Sequence, residues 1–118
     1  MLASLLAAAL TLVPGAASGL TLEQAVGQRV VTSLPGTTVS DALARRIRRG
    51  EVAGVILFSR NIASRAQLRG LTERLQAERR HGPVVLRERP LLVMIDQEGG
   101  LVKRLSGAPS RSPAALGR

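Results

Sequence analysis

Short apolar runs alternate with stretches whose apolar residues recur every three or four positions. Arg29-Val30-Val31-Thr32-Ser33-Leu34 is rich in β-branched residues and predicts a first strand, closed by Pro35-Gly36. Val52 to Phe58 is apolar without alternation, the pattern of a strand covered on both faces in a parallel sheet. Leu91 to Ile95 repeats that pattern and runs straight into Asp96-Gln97-Glu98-Gly99-Gly100.

Helix signals fill the gaps. Thr21-Leu22-Glu23-Gln24 is a capping box, and a short helix is expected to follow it to about Gly27. Ser40 or Asp41 caps a second helix that runs to Arg49 and stops at Gly50, the usual left-handed terminal glycine. Ser64-Arg65-Ala66-Gln67 is a second capping box, and Leu68, Leu71 and Leu75 share one face of the helix after it. That helix is expected to end near His81-Gly82, with an Arg-containing loop leading to Pro90. The tail from Ser106 to Arg118 reads as loop.

Strand, helix, strand, helix, strand is the order of a parallel α/β sheet with right-handed crossovers. Periodicity alone leaves open a doubly wound sheet or part of a (β/α)₈ barrel. In both, ligands meet the carboxyl ends of the strands. The most polar, glycine-rich strand end is Asp96 to Gly100, which makes it the candidate site.

The first residues carry a different pattern. Leu2 to Val13 is an unbroken apolar and small-residue run, shorter than the ~20 residues a bilayer span takes. Pro14-Gly15 breaks it, and Ala16-Ala17-Ser18-Gly19 offers small residues at a cleavage spacing. The expectation is a secretory signal peptide from Met1 to about Ser18 or Gly19, although no Lys or Arg precedes the run. A secreted or periplasmic product with no stable membrane anchor follows.

Charge and composition narrow the partners. The chain has 118 residues and a net charge of +9, and sixteen of its seventeen basic residues are Arg. These arginines are scattered over the helices and alternate with apolar positions, which reads as solvated helix faces. Phe58 is the one aromatic residue, so the stacking platforms of single-strand nucleic-acid binders are missing. Nucleic acid is therefore not an expected partner. There is no cysteine, and the lone His81 beside Arg79, Arg80 and Gly82 reads as a solvated helix end. No metal site and no cofactor are expected.

Asp96 and Glu98 lie two apart after a buried strand, so in extended backbone they point the same way. Such a pair suits acid and base work on a glycosidic bond, or a Mg²⁺ site. Gly99-Gly100 permits positive φ and close ligand approach. The plainer alternative is a capped turn, with Asp96 accepting from the glycine backbone and Glu98 paired to Lys103 or Arg104.

The segment from Leu91 to Leu105 resembles the "DQEGG-x-V-x-R" stretch of family-three glycoside hydrolases, particularly the β-N-acetylhexosaminidase branch. Gly54 to Ile62 is similar to that branch's "GGVILFxRNI" strand, Val26-Gly27-Gln28 to its opening "IGQ", and Pro109 to Leu116 to its continuation. Order and spacing agree over nearly everything after residue 20. The resemblance implies the N-terminal portion of a TIM-like (β/α)₈ barrel, about three of its eight strands, with residues 20–118 forming a partial, truncated domain. It implies release of terminal β-linked N-acetylglucosamine, often from peptidoglycan fragments, with retention of configuration. Residue by residue, Asp96 matches a carboxylate that binds sugar hydroxyls, and Arg104 an arginine that contacts the same sugar. Glu98, Gly99 and Gly100 match the loop's supporting members. Where the family usually has Arg, this chain has Leu101.

The catalytic groups do not carry over. The family's nucleophile is an Asp on a late strand, and this branch's acid/base is a His in a "KHFPGHG"-like loop. Neither motif occurs in this sequence. The expected competence of these residues is therefore sugar contact rather than bond cleavage. The alternatives are a β-glucosidase-type member of the same family and a non-catalytic sugar-binding remnant. Three strands leave two open edges, and Val55, Leu57, Val93 and Ile95 are expected to face the side that lacks an opposing wall.

Overall fold

A computed structural model describes residues 19–118. The expected leader, Met1 to Ser18, lies outside the described residues. Three strands, β1 (Val31–Ser33), β2 (Gly54–Leu57) and β3 (Leu92–Ile95), form one parallel sheet in the order β1-β2-β3. Helix α1 (Leu22–Gly27) precedes β1, α2 (Asp41–Arg49) joins β1 to β2, and α3 (Arg65–Arg80) lies between β2 and β3. Strand order follows chain order, as in a singly wound sheet. Right-handed crossovers then put successive helices on the same face, which is the construction of a barrel wall.

Local chemistry fixes each helix end. At α1 the capping box is complete: Thr21 Oγ1 accepts from the Gln24 amide, and Gln24 Oε1 accepts from the Thr21 amide. Ser40, not Asp41, caps α2, and Gly50 ends it with φ 79°. The second box differs from the expected reciprocal form. Ser64 Oγ accepts from the Gln67 amide, but the Gln67 carboxamide bonds the Ala63 amide instead of that of Ser64.

Leu43 and Ile47 from α2, Val55 and Leu57 from β2, and Leu71 and Leu75 from α3 form one core cluster. Fully burying each such side chain is worth about 1.5–3 kcal/mol. Val55 and Leu57 are therefore covered by helices. The expectation that they face the open side is overturned, and Val93 likewise packs against the core. Strand register shows which residues take the other face: Val31, Gly54 and Leu92 form one row, and Ser33, Ile56 and Met94 the next. Leu92 is 52% exposed on that face.

Two loops contain structure that composition did not signal. Residues expected as loop before Pro90 include a single helical turn, α4 (Val84–Arg87), whose Leu86 is buried against the rest. The tail folds a further turn, α5 (Pro113–Leu116), capped by Ser112. Beyond β3, the chain forms a small antiparallel hairpin of β4 (Gln97–Gly99) and β5 (Val102–Lys103).

The arginine pattern also needs correction. Glu78 is 2% exposed and takes ion pairs from Arg48 of α2 and from Arg74, the latter at 2.6 Å. Arg79, read as part of a solvated helix end, is itself 2% exposed. His81 and Arg80 are exposed as expected.

Candidate functional site

The site begins where β2 and β3 end together, since Leu57 and Ile95 are register partners. Just past Leu57, the turn Ser59–Asn61 folds the chain back. Asn61 is fully buried, and its side chain makes three hydrogen bonds that hold the turn. Its Oδ1 accepts from the Phe58 amide at 2.8 Å, and its Nδ2 donates to Leu34 O and Gly36 O at 2.9 and 2.7 Å. One side chain thus joins the carboxyl ends of β1 and β2. Beside it, the Arg60 guanidinium lies over the Phe58 ring, 4.7 Å from its centroid.

Past Ile95, the chain is organised by Gln97. Its Oε1 accepts from the amides of Arg104 and Leu105 at 2.9 and 3.0 Å. Its Nε2 donates to Leu105 O at 2.9 Å and Ala108 O at 3.2 Å. A carboxamide has two donors and an acceptor oxygen, so this one is used nearly to capacity. It fixes the backbone from which Arg104 projects.

Asp96 and Arg104 come together. Arg104 Nη2 is 3.9 Å from Asp96 Oδ2, with the side chains 24% and 42% exposed respectively. A partly exposed pair at that separation contributes under about 1 kcal/mol to stability. Its consequence is orientation. The carboxylate keeps acceptor capacity toward solvent, while Arg104 Nε is buried without a hydrogen-bond partner among the described residues. Hydroxyl groups that both donate and accept suit such an edge.

Glu98 does not share this position. It is exposed, and among the described residues it forms no ion pair with Lys103 or Arg104. The alternative that pairs Glu98 with Lys103 or Arg104 is therefore not met, and the hairpin ladder here is not a regular one. Gln97 pairs with Lys103, Gly99 pairs with Val102, and the ladder is irregular between Gln97 and Gly99.

Gly99 and Gly100 have φ 85° and 59°, as their positions in the motif led one to expect. A side chain at Gly99 is doubly excluded, because a Cβ there would stand 2.2 Å from Arg111 O. The glycine pair lets the hairpin close on the tail segment of residues 109–112. Leu101 sits at the turn, 99% exposed, and packs on nothing.

A cleft of about 590 Å³ opens between the start of α3 and the chain after β5, lined in part by Leu68, Arg69, Thr72, Arg104 and Leu105. Arg104 borders it and Asp96 does not. Among the described residues, no group of three or more His, Asp or Glu side chains is placed to hold a metal ion.

Sequence reasoning missed Gln97 and Asn61. Gln97 sits inside the quoted motif between the two carboxylates, where attention to charge passed over it. Asn61 lies within the Gly54 to Ile62 match, where no role was assigned to it. Only its full burial reveals it.

Comparison with known proteins places this arrangement. An uncharacterized secreted glycosyl hydrolase of Arthroderma benhamiae is 35% identical over 104 residues, spanning 86% of this chain and 29% of that protein. A beta-hexosaminidase of Alkalilimnicola ehrlichii is 41% identical over 85 residues, spanning 72% of this chain and 22% of that protein. The chain thus spans under a third of the length of these relatives. A solved family 3 beta-N-acetylglucosaminidase from Paenibacillus sp. superposes with a TM-score of 0.65 at 40% identity, covering 75% of this chain and 16% of that one. A sheet wound in one direction, a glycine-closed hairpin at its carboxyl end and a match of residues 21–117 to the N-terminal domain of glycosyl hydrolase family 3 together establish that the chain belongs to that family.

Proposed function

We propose that this chain supplies sugar-binding residues to a retaining glycoside hydrolase acting on terminal β-linked N-acetylglucosamine, with peptidoglycan fragments as the substrate class. The observation that carries this reading is the meeting of Asp96 and Arg104 at the carboxyl end of β3. A carboxylate accepts from sugar hydroxyls, and a guanidinium donates to them in a fixed fork. The names borne by the relatives, beta-hexosaminidase and beta-N-acetylglucosaminidase, favour this substrate over a plain β-glucoside. Glu98, Gly99 and Gly100 support the loop and take no part in bond cleavage. Retaining hydrolysis needs a nucleophile and an acid/base group across the scissile bond. In this reading, neither role falls to Asp96 or Glu98.

The test is a pair of assays on a full-length enzyme carrying residues 20–118. Turnover of a chromogenic N-acetyl-β-glucosaminide well above that of the matching β-glucoside is expected. The reverse preference would move the assignment to the β-glucosidase type, and turnover of neither would favour a sugar-binding remnant.

Export completes the proposal. The apolar Leu2 to Val13 run, followed by Ala16-Ala17-Ser18, directs secretion and is removed, in keeping with the secreted relative of Arthroderma benhamiae. Intact-mass analysis of the exported protein is expected to give an N-terminus between Ala17 and Thr21. A cytoplasmic product that retains Met1 would contradict it.

A further inference from the structure

A second polar cluster lies at the opposite end of the sheet from Asp96. Arg79, on the last turn of α3, is 2% exposed, and no carboxylate compensates it among the described residues. Its Nη2 donates to Gln28 Oε1 at 2.6 Å and its Nε to Arg89 O at 3.1 Å, both neutral acceptors. Its Nη1 is buried with no partner at all among the described residues. Gln28 precedes β1 and Arg89 precedes β3, so the cluster sits at the amino ends of these strands. Burial, and then the neighbouring Arg89 charge, hold the Arg79 pKa below its ordinary value. An arginine nevertheless stays protonated in proteins. A buried, uncompensated charge therefore remains, and its field is weakly screened.

Arg79 lines a cleft of about 270 Å³ together with Arg80, Arg87, Gln76, Glu88 and Pro90. Three guanidinium groups against the one carboxylate of Glu88 leave this cleft with a positive excess. Gln76 is committed elsewhere, its carboxamide bonding both the amide and the carbonyl of Leu91 at 2.9 and 2.8 Å. Arg87 spends Nε on Gly82 O, and its terminal nitrogens have no protein acceptor among the described residues. Arg80 and Arg87 are exposed.

We infer that this cleft is an oxyanion-binding site that takes a phosphate or carboxylate group, with Arg80 and Arg87 making the direct contacts and buried Arg79 supplying the field. Guanidinium forks match the paired oxygens of such anions, and charge-assisted hydrogen bonds are the strong ones. The site is distinct from the Asp96–Arg104 pair and does not depend on which sugar the enzyme cleaves.

Equilibrium dialysis of the full chain against radiolabelled inorganic phosphate, with acetate in a parallel arm, tests it. Saturable binding of one anion per chain is expected in at least one arm. The double variant Arg80→Gln/Arg87→Gln is expected to weaken it about tenfold or more, the loss of charge-assisted bonds. Arg45→Gln/Arg65→Gln removes the same charge from exposed positions away from the cleft and is expected to leave binding unchanged. A second measurement needs no variant: the bound anion should protect Arg80 and Arg87, but not Arg45 and Arg65, from an arginine-selective dicarbonyl reagent. Non-saturable binding, equal loss in both double variants, or uniform protection of all four arginines would overturn the assignment and leave only general basicity.

Discussion

The Gln97 carboxamide accepts from the Arg104 amide at 2.9 Å, and this bond, rather than the ion pair to Asp96, fixes where Arg104 stands. The ion pair is longer, at 3.9 Å, and open to solvent. The neutral residue between two carboxylates therefore sets the geometry in which the charged residues act.

Gln97→Ala should release four hydrogen bonds at once, two accepted by Oε1 and two donated by Nε2. At about 1 kcal/mol each, and less than additive, a destabilisation of about 1–3 kcal/mol is expected. Hydrogen exchange should show the Arg104 and Leu105 amides losing protection while Val55 keeps its own. Unchanged protection at Arg104 would refute the organising role.

In a full-length enzyme carrying this segment, Asp96→Ala should lower kcat/KM about tenfold or more, because a hydrogen bond to a charged group is worth ~1.5–3 kcal/mol. Glu98→Gln should do less, since Glu98 is exposed and away from Arg104. Wild-type activity in Asp96→Ala would remove Asp96 from the sugar contacts.

Gly99→Ala should be costly and Gly36→Ala nearly neutral. The first adds a Cβ 2.2 Å from a backbone oxygen at φ 85°, whereas the second meets nothing within 4 Å. Backbone cannot swing aside as a flexible side chain can, so a drop of about 1–3 kcal/mol is expected for Gly99→Ala. Thermal melts of the two variants measure this, and equal melting temperatures would count against the close packing of residues 99 and 111.

Asn61→Ala should strand the Phe58 amide and the carbonyls of Leu34 and Gly36 in buried or half-buried positions. Each unsatisfied group costs ~1–3 kcal/mol. The expected readout is a loss of stability larger than that of any exposed-arginine variant, measured by denaturant titration.

The sheet face that carries Val31, Ile56, Leu92 and Met94 leaves Val31 41% and Leu92 52% exposed. The chain studied by itself should associate through this surface, because exposed apolar patches do so. Leu92→Lys should raise the monomer fraction in sedimentation, whereas Val84→Lys, at an exposed position on α4, should not. A monomeric wild-type chain would contradict this.

The sequence by itself determined the order of β1 to β3 and of α1 to α3, and the ends of those helices. Capping residues such as Thr21, Ser40 and Gly50 act through bonds to neighbours within a few positions, so their effect is local and readable. Motif spacing likewise located Asp96, Arg104 and the glycine pair. Which face of β2 meets the helices was not readable, because a run apolar on both sides carries no period-two signal. Val55 and Leu57 were assigned to the wrong side for that reason. The burial of Arg79 and Glu78 was hidden in the same way. A charged residue in a helix reads as solvated until packing brings Arg48 from α2 and Gln28 from the chain before β1 against it. Only the tertiary structure decided these, since the partners lie 30 and 51 residues away in the chain.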